Sequence, residues 1–212
     1  MQVKQTILLS LIIIIVVSCS TPNGDSNVQL GAEYYRNGEY SKAETELKTA
    51  LTKELTEYSR KEVLTIVGNL YYDTDMYDSS EFYHKKALEI DSNYVDAIVN
   101  LGVLYRLTSK FDLAEKQYLR AKELDPNNPD LYSSLGALYI HTGDIEQAVK
   151  NLRKAIQIDP QLPLAHSNYS LALAMTGKFD SAYLELKQAV MLGYKNGDVI
   201  KERIDNLRTL EQ

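Results

Sequence analysis

The stretch PDLYSSLGALYIHTGDIEQAVKNLRKAIQIDPQL, residues 129–162, decides how the chain folds. Tyr132, Leu135, Gly136 and Tyr139 are spaced i, i+3, i+4, i+7, and Ile145, Ala148, Val149, Leu152, Ala155 and Ile156 continue that rhythm on a second segment. Both segments therefore read as amphipathic helices. Gly143-Asp144 breaks the pattern between them, and Asn128-Pro129 opens it with an N-cap residue followed by proline at the first helical position. Thirty-four residues earlier Ile98, Leu101, Gly102, Tyr105, Ala114, Tyr118, Ala121, Asp125 and Pro126 occupy the same offsets, and thirty-four earlier again stand Leu64, Val67, Gly68, Tyr71, Ser80, His84, Ala87 and Asp91. A constant period of this size means stacked units, each covering the apolar face its neighbour cannot bury alone.

Two further copies complete the series. Leu30, Gly31, Tyr34, Ala43, Leu47 and Ala50 form an earlier one, and His166, Tyr169, Ser170, Phe179, Ala182, Leu186 and Ala189 a later one. The small-residue slots are the strictest: Gly31, Gly68, Gly102, Gly136 and Ser170 on the first helix, and Ala50, Ala87, Ala121, Ala155 and Ala189 near the end of the second. Paired helices that repeat one close crossing must repeat its small side chains. The pattern resembles the tetratricopeptide (TPR) family, with its aromatic, Leu-Gly and Tyr on one helix and Ala, aromatic, Ala on the next. That resemblance implies an all-α, right-handed superhelical solenoid of five helix pairs, at about 24–57, 61–94, 95–128, 129–162 and 163–196. Residues 197–212 form a capping helix, with Ile200, Ile204, Leu207 and Leu210 on its apolar face.

One join breaks the period. Leu30 and Val67 stand 37 residues apart, and Leu55 fills the slot where proline closes other units. The expectation is a second helix running on by about one turn, then a capping box of Ser59 and Glu62. The three extra residues read either as a functional bend or as a tolerated insertion.

The N-terminus carries a separate message. Lys4 precedes an apolar run from Ile7 to Val17 that only Ser10 interrupts, too short to cross a bilayer as a helix but suited to a signal peptide over residues 1–18. Val16-Val17-Ser18-Cys19 resembles the bacterial lipobox, which implies cleavage before Cys19 and its modification with diacylglycerol and a further acyl chain. Cys19 is also the single cysteine, so no internal disulfide can form. A signal-anchor helix or an ordinary secretory signal are the alternatives. Residues 19–27 read as the lipidated Cys with a short polar linker. Ser20, where an Asp would retain an enterobacterial lipoprotein in the inner membrane, favours the outer membrane facing the periplasm; the outer leaflet of the inner membrane and the cell surface stay open.

The 212 residues carry 23 Lys and Arg against 29 Asp and Glu, a net charge of −6. Without a basic stretch, such a chain is a poor ligand for nucleic acid or an anionic membrane surface. There is no His-x-x-x-His, cysteine cluster, phosphate loop or Gly-x-Ser-x-Gly, so no catalytic residue, metal ligand, cofactor or small-molecule substrate is expected. His84 and His166 fall in aromatic core slots, and the acidic residues read as solvated faces and caps.

Binding is what remains. In TPR proteins the first helices line a concave groove, and the slots that point into it hold Asn69, Tyr72, Asn100, Val103, Arg106, Ile140, His141 and Asn168. Asn69 and Asn100 resemble part of the carboxylate clamp of chaperone adaptors, but its lysine slots hold Thr65 and Asp130 and its arginine slot Ser134. A groove of amides, aromatics, aliphatics and one Arg suits an extended peptide segment of a protein partner; docking on the convex face or an edge is the alternative. With the lipobox, the repeats resemble type IV pilus biogenesis lipoproteins, although those usually carry six. The implied role is a non-enzymatic scaffold at the membrane. An adaptor for peptidoglycan enzymes or proteases, a chaperone adaptor, and an enzyme with a hidden active site are the rivals.

Overall fold

A computed structural model describes residues 23–210, so the signal segment and Cys19 lie outside the described residues. Five helix pairs follow in order: α1 Gly24–Arg36 with α2 Tyr40–Leu51, α3 Arg60–Asp73 with α4 Tyr77–Ile90, α5 Val95–Leu107 with α6 Phe111–Leu124, α7 Pro129–Thr142 with α8 Ile145–Ile158, and α9 Pro163–Ala174 with α10 Phe179–Met191. α11, Gly197–Leu210, packs on α9 and α10. Each first helix touches its own partner most, then the second helix of the unit before it, and successive first helices meet along one side.

The glycine slots are set by proximity. A Cβ on Gly68 would stand 2.6 Å from the His84 ring and one on Gly31 2.7 Å from Leu47, while Gly102 faces Tyr118 and Gly136 faces Leu152 in the same way. The fully buried alanines of the second helices complete the crossing.

Junctions repeat as well. Asp91, Asp125 and Asp159 each accept from the backbone N–H two residues on, at 3.0, 3.3 and 2.8 Å, which turns the chain into the next unit. Asn128 caps α7 by accepting from Leu131 N, with Pro129 at the first helical position. Tyr132 donates to Pro126 O at 3.0 Å, and thirty-four residues later His166 Nε2 meets Pro160 O at the same distance. His166 thus does in its unit what tyrosine does in the unit before.

Neighbouring units are also joined by a ladder the sequence did not suggest. Tyr71, Tyr105 and Tyr139 donate to Glu44, Glu81 and Glu115 at 2.6, 2.9 and 2.7 Å. These carboxylates hold one slot of the second helix, so they are not merely solvated. The next pair in the register is Val149 and Leu173, where both partners turn apolar together. At α11 the bond returns reversed, with Tyr183 donating to Asp205.

At the irregular join the structure corrects the expectation. α2 does not gain a turn; it stops at Leu51, and Thr52–Tyr58 form a loop that ends in the Ser59–Glu62 capping box. The reason is Asp25, only 3 % exposed, whose carboxylate accepts from the backbone N–H of Thr56, Glu57 and Tyr58 and from the Thr56 hydroxyl. Those bonds hold its pKa below the usual carboxylate range, the Thr56 hydroxyl contributing most. Leu55 turns inward against Gly24, and Arg60 donates to Leu51 O at the end of α2. The loop thereby finds for its backbone the partners a longer helix would have supplied. Gly24–Asn27, which the expected linker and the expected first repeat share, belong to α1, where Asn27 bonds Glu46 and Lys53.

Candidate functional site

The first helices α5, α7 and α9, with α11 as a closing wall, enclose an open cavity of about 750 Å³. Six of the eight groove residues expected from the sequence meet there: Tyr72, Val103, Arg106, Ile140, His141 and Asn168. Asn69 and Asn100 do not. They sit in a smaller adjoining hollow of about 230 Å³ with Tyr35, Tyr72, Asp73 and Val103, and Asn100 donates to Asn69 at 2.9 Å. That bond occupies the Asn69 carbonyl and one Asn100 N–H, and Thr65, Asp130 and Ser134 stand where the clamp would place its cations. Thr65, in a lysine slot of that clamp, is buried at 5 % exposure.

Arg106 is fixed in the cavity wall by its bond to His141, donating from Nη1 to Nε2 at 3.2 Å. His141 must offer a lone pair to that donor, and its pKa lies below the ordinary histidine value through burial first, then through Arg106 and Arg203. Its ring stacks on Phe111 at 6.2 Å between centroids. Burial raises the Tyr72 hydroxyl, opposed by Arg106.

Arg203 is the residue sequence reasoning missed. α11 read as a cap with polar residues for water, yet Arg203 and Asn206 line the cavity. The signal was present: Ile200, Arg203, Leu207 and Leu210 follow i, i+3, i+7, i+10, so Arg203 shares a stripe with apolar residues. Leu210, assigned to the buried face, is 84 % exposed and stands at the cavity edge. The groove therefore carries two arginines rather than one.

A third hollow of about 540 Å³, beside the N-terminal ends of α3, α5 and α7, is lined by Glu62, Asp96 and Asp130 with Asn69, Asn100 and Tyr94, and by no Lys or Arg. The concave side is thus polarised, acidic at one margin and cationic at α11. Among the described residues no three His, Cys, Asp or Glu side chains gather as a metal site, and no helix is long and apolar enough to cross a membrane.

Comparison with known proteins agrees with this architecture. A family model described as TPR repeat matches residues 104–143 and again 138–177, and one described as Tetratricopeptide repeat matches 62–94. No curated protein matches the sequence. Among solved structures, a thermophilic TPR protein of Thermus thermophilus superimposes with a TM-score of 0.71 at 18 % identity, over 87 % of this chain and 98 % of that one. PilF of Pseudomonas aeruginosa gives 0.70 at 18 % identity over 87 % and 83 %, and MamA 0.59 at 24 % over 76 % and 93 %. Likeness at these identities speaks for the fold alone. With matched repeats over about half of its length and the helix pairs continuing at both ends, the chain belongs to the tetratricopeptide-repeat family.

Proposed function

We propose that the chain is a lipid-anchored, non-enzymatic scaffold of the bacterial cell envelope. It is held in the outer membrane through Cys19, faces the periplasm, and docks a protein partner on its concave side. The observation that carries this reading is the open cavity across successive first helices, large enough for side chains of a partner and lined by both apolar and cationic groups. TPR repeats bind proteins, and the lipobox-like Val16-Val17-Ser18-Cys19 supplies the membrane link. Only Ser20–Asn23 separate Cys19 from α1, a reach of at most about 14 Å. A partner would therefore be met close to the leaflet. The combination of signal and repeats supports a role in assembling or maintaining an envelope complex of pilus or secretin type; PilF, similar in fold, supports the architecture of that reading.

Fractionation and mass spectrometry test the anchor. The mature protein is expected to begin at an acylated Cys19, and Cys19→Ala to leave the membrane fraction, since acyl chains contribute about 0.8 kcal/mol per buried CH2. An unmodified Cys19 in a soluble wild-type protein would end the lipoprotein reading.

A further inference from the structure

The cavity at α11 is chemically unlike the rest of the surface. The chain carries 29 acidic side chains and a net charge of −6, yet the cavity lining contains Arg106, Arg203 and His141 and no Asp or Glu. Neither arginine takes part in a salt bridge among the described residues. Arg106 spends one donor on His141, while its Nε is buried without a partner. A buried donor left unpaired is unfavourable by about 1–3 kcal/mol, more for a charged group.

Around the cations the wall is apolar. Ile140, Leu171, Ile200 and Leu207 line the cavity, and Leu164 and Met175, at 48 % and 38 % exposure, add apolar surface open to solvent. The neighbouring hollow with Glu62, Asp96 and Asp130 repels a carboxylate and so leaves the α11 end as the place where one is accepted.

We propose that this cavity binds an apolar segment of a protein partner through a carboxylate held by Arg106 and Arg203, with aliphatic side chains seated against α7, α9 and α11. The inference rests on the concave face being the docking surface. Guanidinium and carboxylate make charge-assisted hydrogen bonds, about twice as strong as neutral ones, and the aliphatic walls exclude the water that would weaken them. The site differs from a clamp built on lysine and asparagine, because its two cations come from α5 and the terminal helix.

The test uses two fluorescein-labelled hexapeptides with amidated C-termini, LELLEL and LQLLQL. They are titrated by anisotropy against the full chain in phosphatidylcholine nanodiscs, with empty discs as the blank. LELLEL is expected to bind about tenfold more tightly than its glutamine counterpart. Arg203→Gln should abolish that preference without changing the circular dichroism, because Arg203 is exposed; Arg106→Gln should reduce it. Equal affinities, no binding by either peptide, or an undiminished preference in Arg203→Gln would overturn the proposal. Crosslinks from the concave face to a partner would leave the scaffold reading standing in that event.

Discussion

Tyr118→Ala is expected to lower stability by about 3–5 kcal/mol, the loss typical of emptying a large aromatic from a core. Tyr118 is fully buried in the middle unit, faces Gly102, and belongs to a cluster with Ile98, Leu101, Tyr105, Leu131 and Leu135 from three consecutive helices of the stack. The gap cannot close from the Gly102 side, which has no side chain to move into it. A loss of that size is a large share of the 5–15 kcal/mol that hold a typical fold together. Because units in a stack are stabilised by their neighbours, the damage should also uncouple the units on either side. Urea unfolding is expected to show a midpoint lower by about 1 M or more, with a broadened transition. Tyr118→Phe is the control. The Tyr118 hydroxyl is buried without a partner in hydrogen-bond geometry, so its removal should not destabilise the fold and should raise its stability by up to about 1–3 kcal/mol. Equal losses in both variants would show that the hydroxyl, not the ring, holds the unit.

The second large effect is a dependence on pH. His84 fills the slot held elsewhere by Leu47, Tyr118, Leu152 and Leu186; it is 1 % exposed, and burial pushes its pKa down to about 4. The unfolded chain takes up this proton near pH 6.5 while the folded chain refuses it until about pH 4. Stability from this group is therefore complete above pH 6.5 and falls as the pH drops, by about 3 kcal/mol at pH 4. His84→Leu removes the titrating group and an unpartnered ring nitrogen. Wild type and variant should have comparable stability at pH 7.5, and the variant should be the more stable by about 3 kcal/mol at pH 4. The carboxylates contribute equally to both, so the difference isolates His84. Parallel stability curves from pH 4 to 7.5 would mean that His84 is protonated as readily folded as unfolded.

Local chemistry with a fixed partner was legible in the sequence. Asn128-Pro129 and Ser59 with Glu62 each act within one turn, and the glycine slots recur because the same crossing recurs. What escaped depends on partners far along the chain. Asp25 reads as an ordinary first-turn acid, and only the fold brings Thr56, Glu57 and Tyr58 to it across more than thirty residues. That contact is why the three extra residues became a loop instead of a turn of α2. Glu44, Glu81 and Glu115 recur at the same repeat slot, 37 residues apart across the irregular join and 34 after it, and so could have been paired with Tyr71, Tyr105 and Tyr139; their charge reads as solvated instead. For the site, the six residues that meet in the cavity were legible from repeat slots. The mutual pairing of Asn69 with Asn100 was not, nor was Arg203, which lies in the one helix outside the repeat register.

Docking of a partner on the concave side, at the membrane, is open to direct test. Photo-crosslinking amino acids placed singly at Val103 and Ile140 in the groove, and at Phe82 and Leu184 as exposed positions on second helices, test it in intact cells. Adducts to one envelope protein are expected from Val103 and Ile140, and none from Phe82 or Leu184. Adducts from Phe82 or Leu184 alone would contradict docking on the concave side.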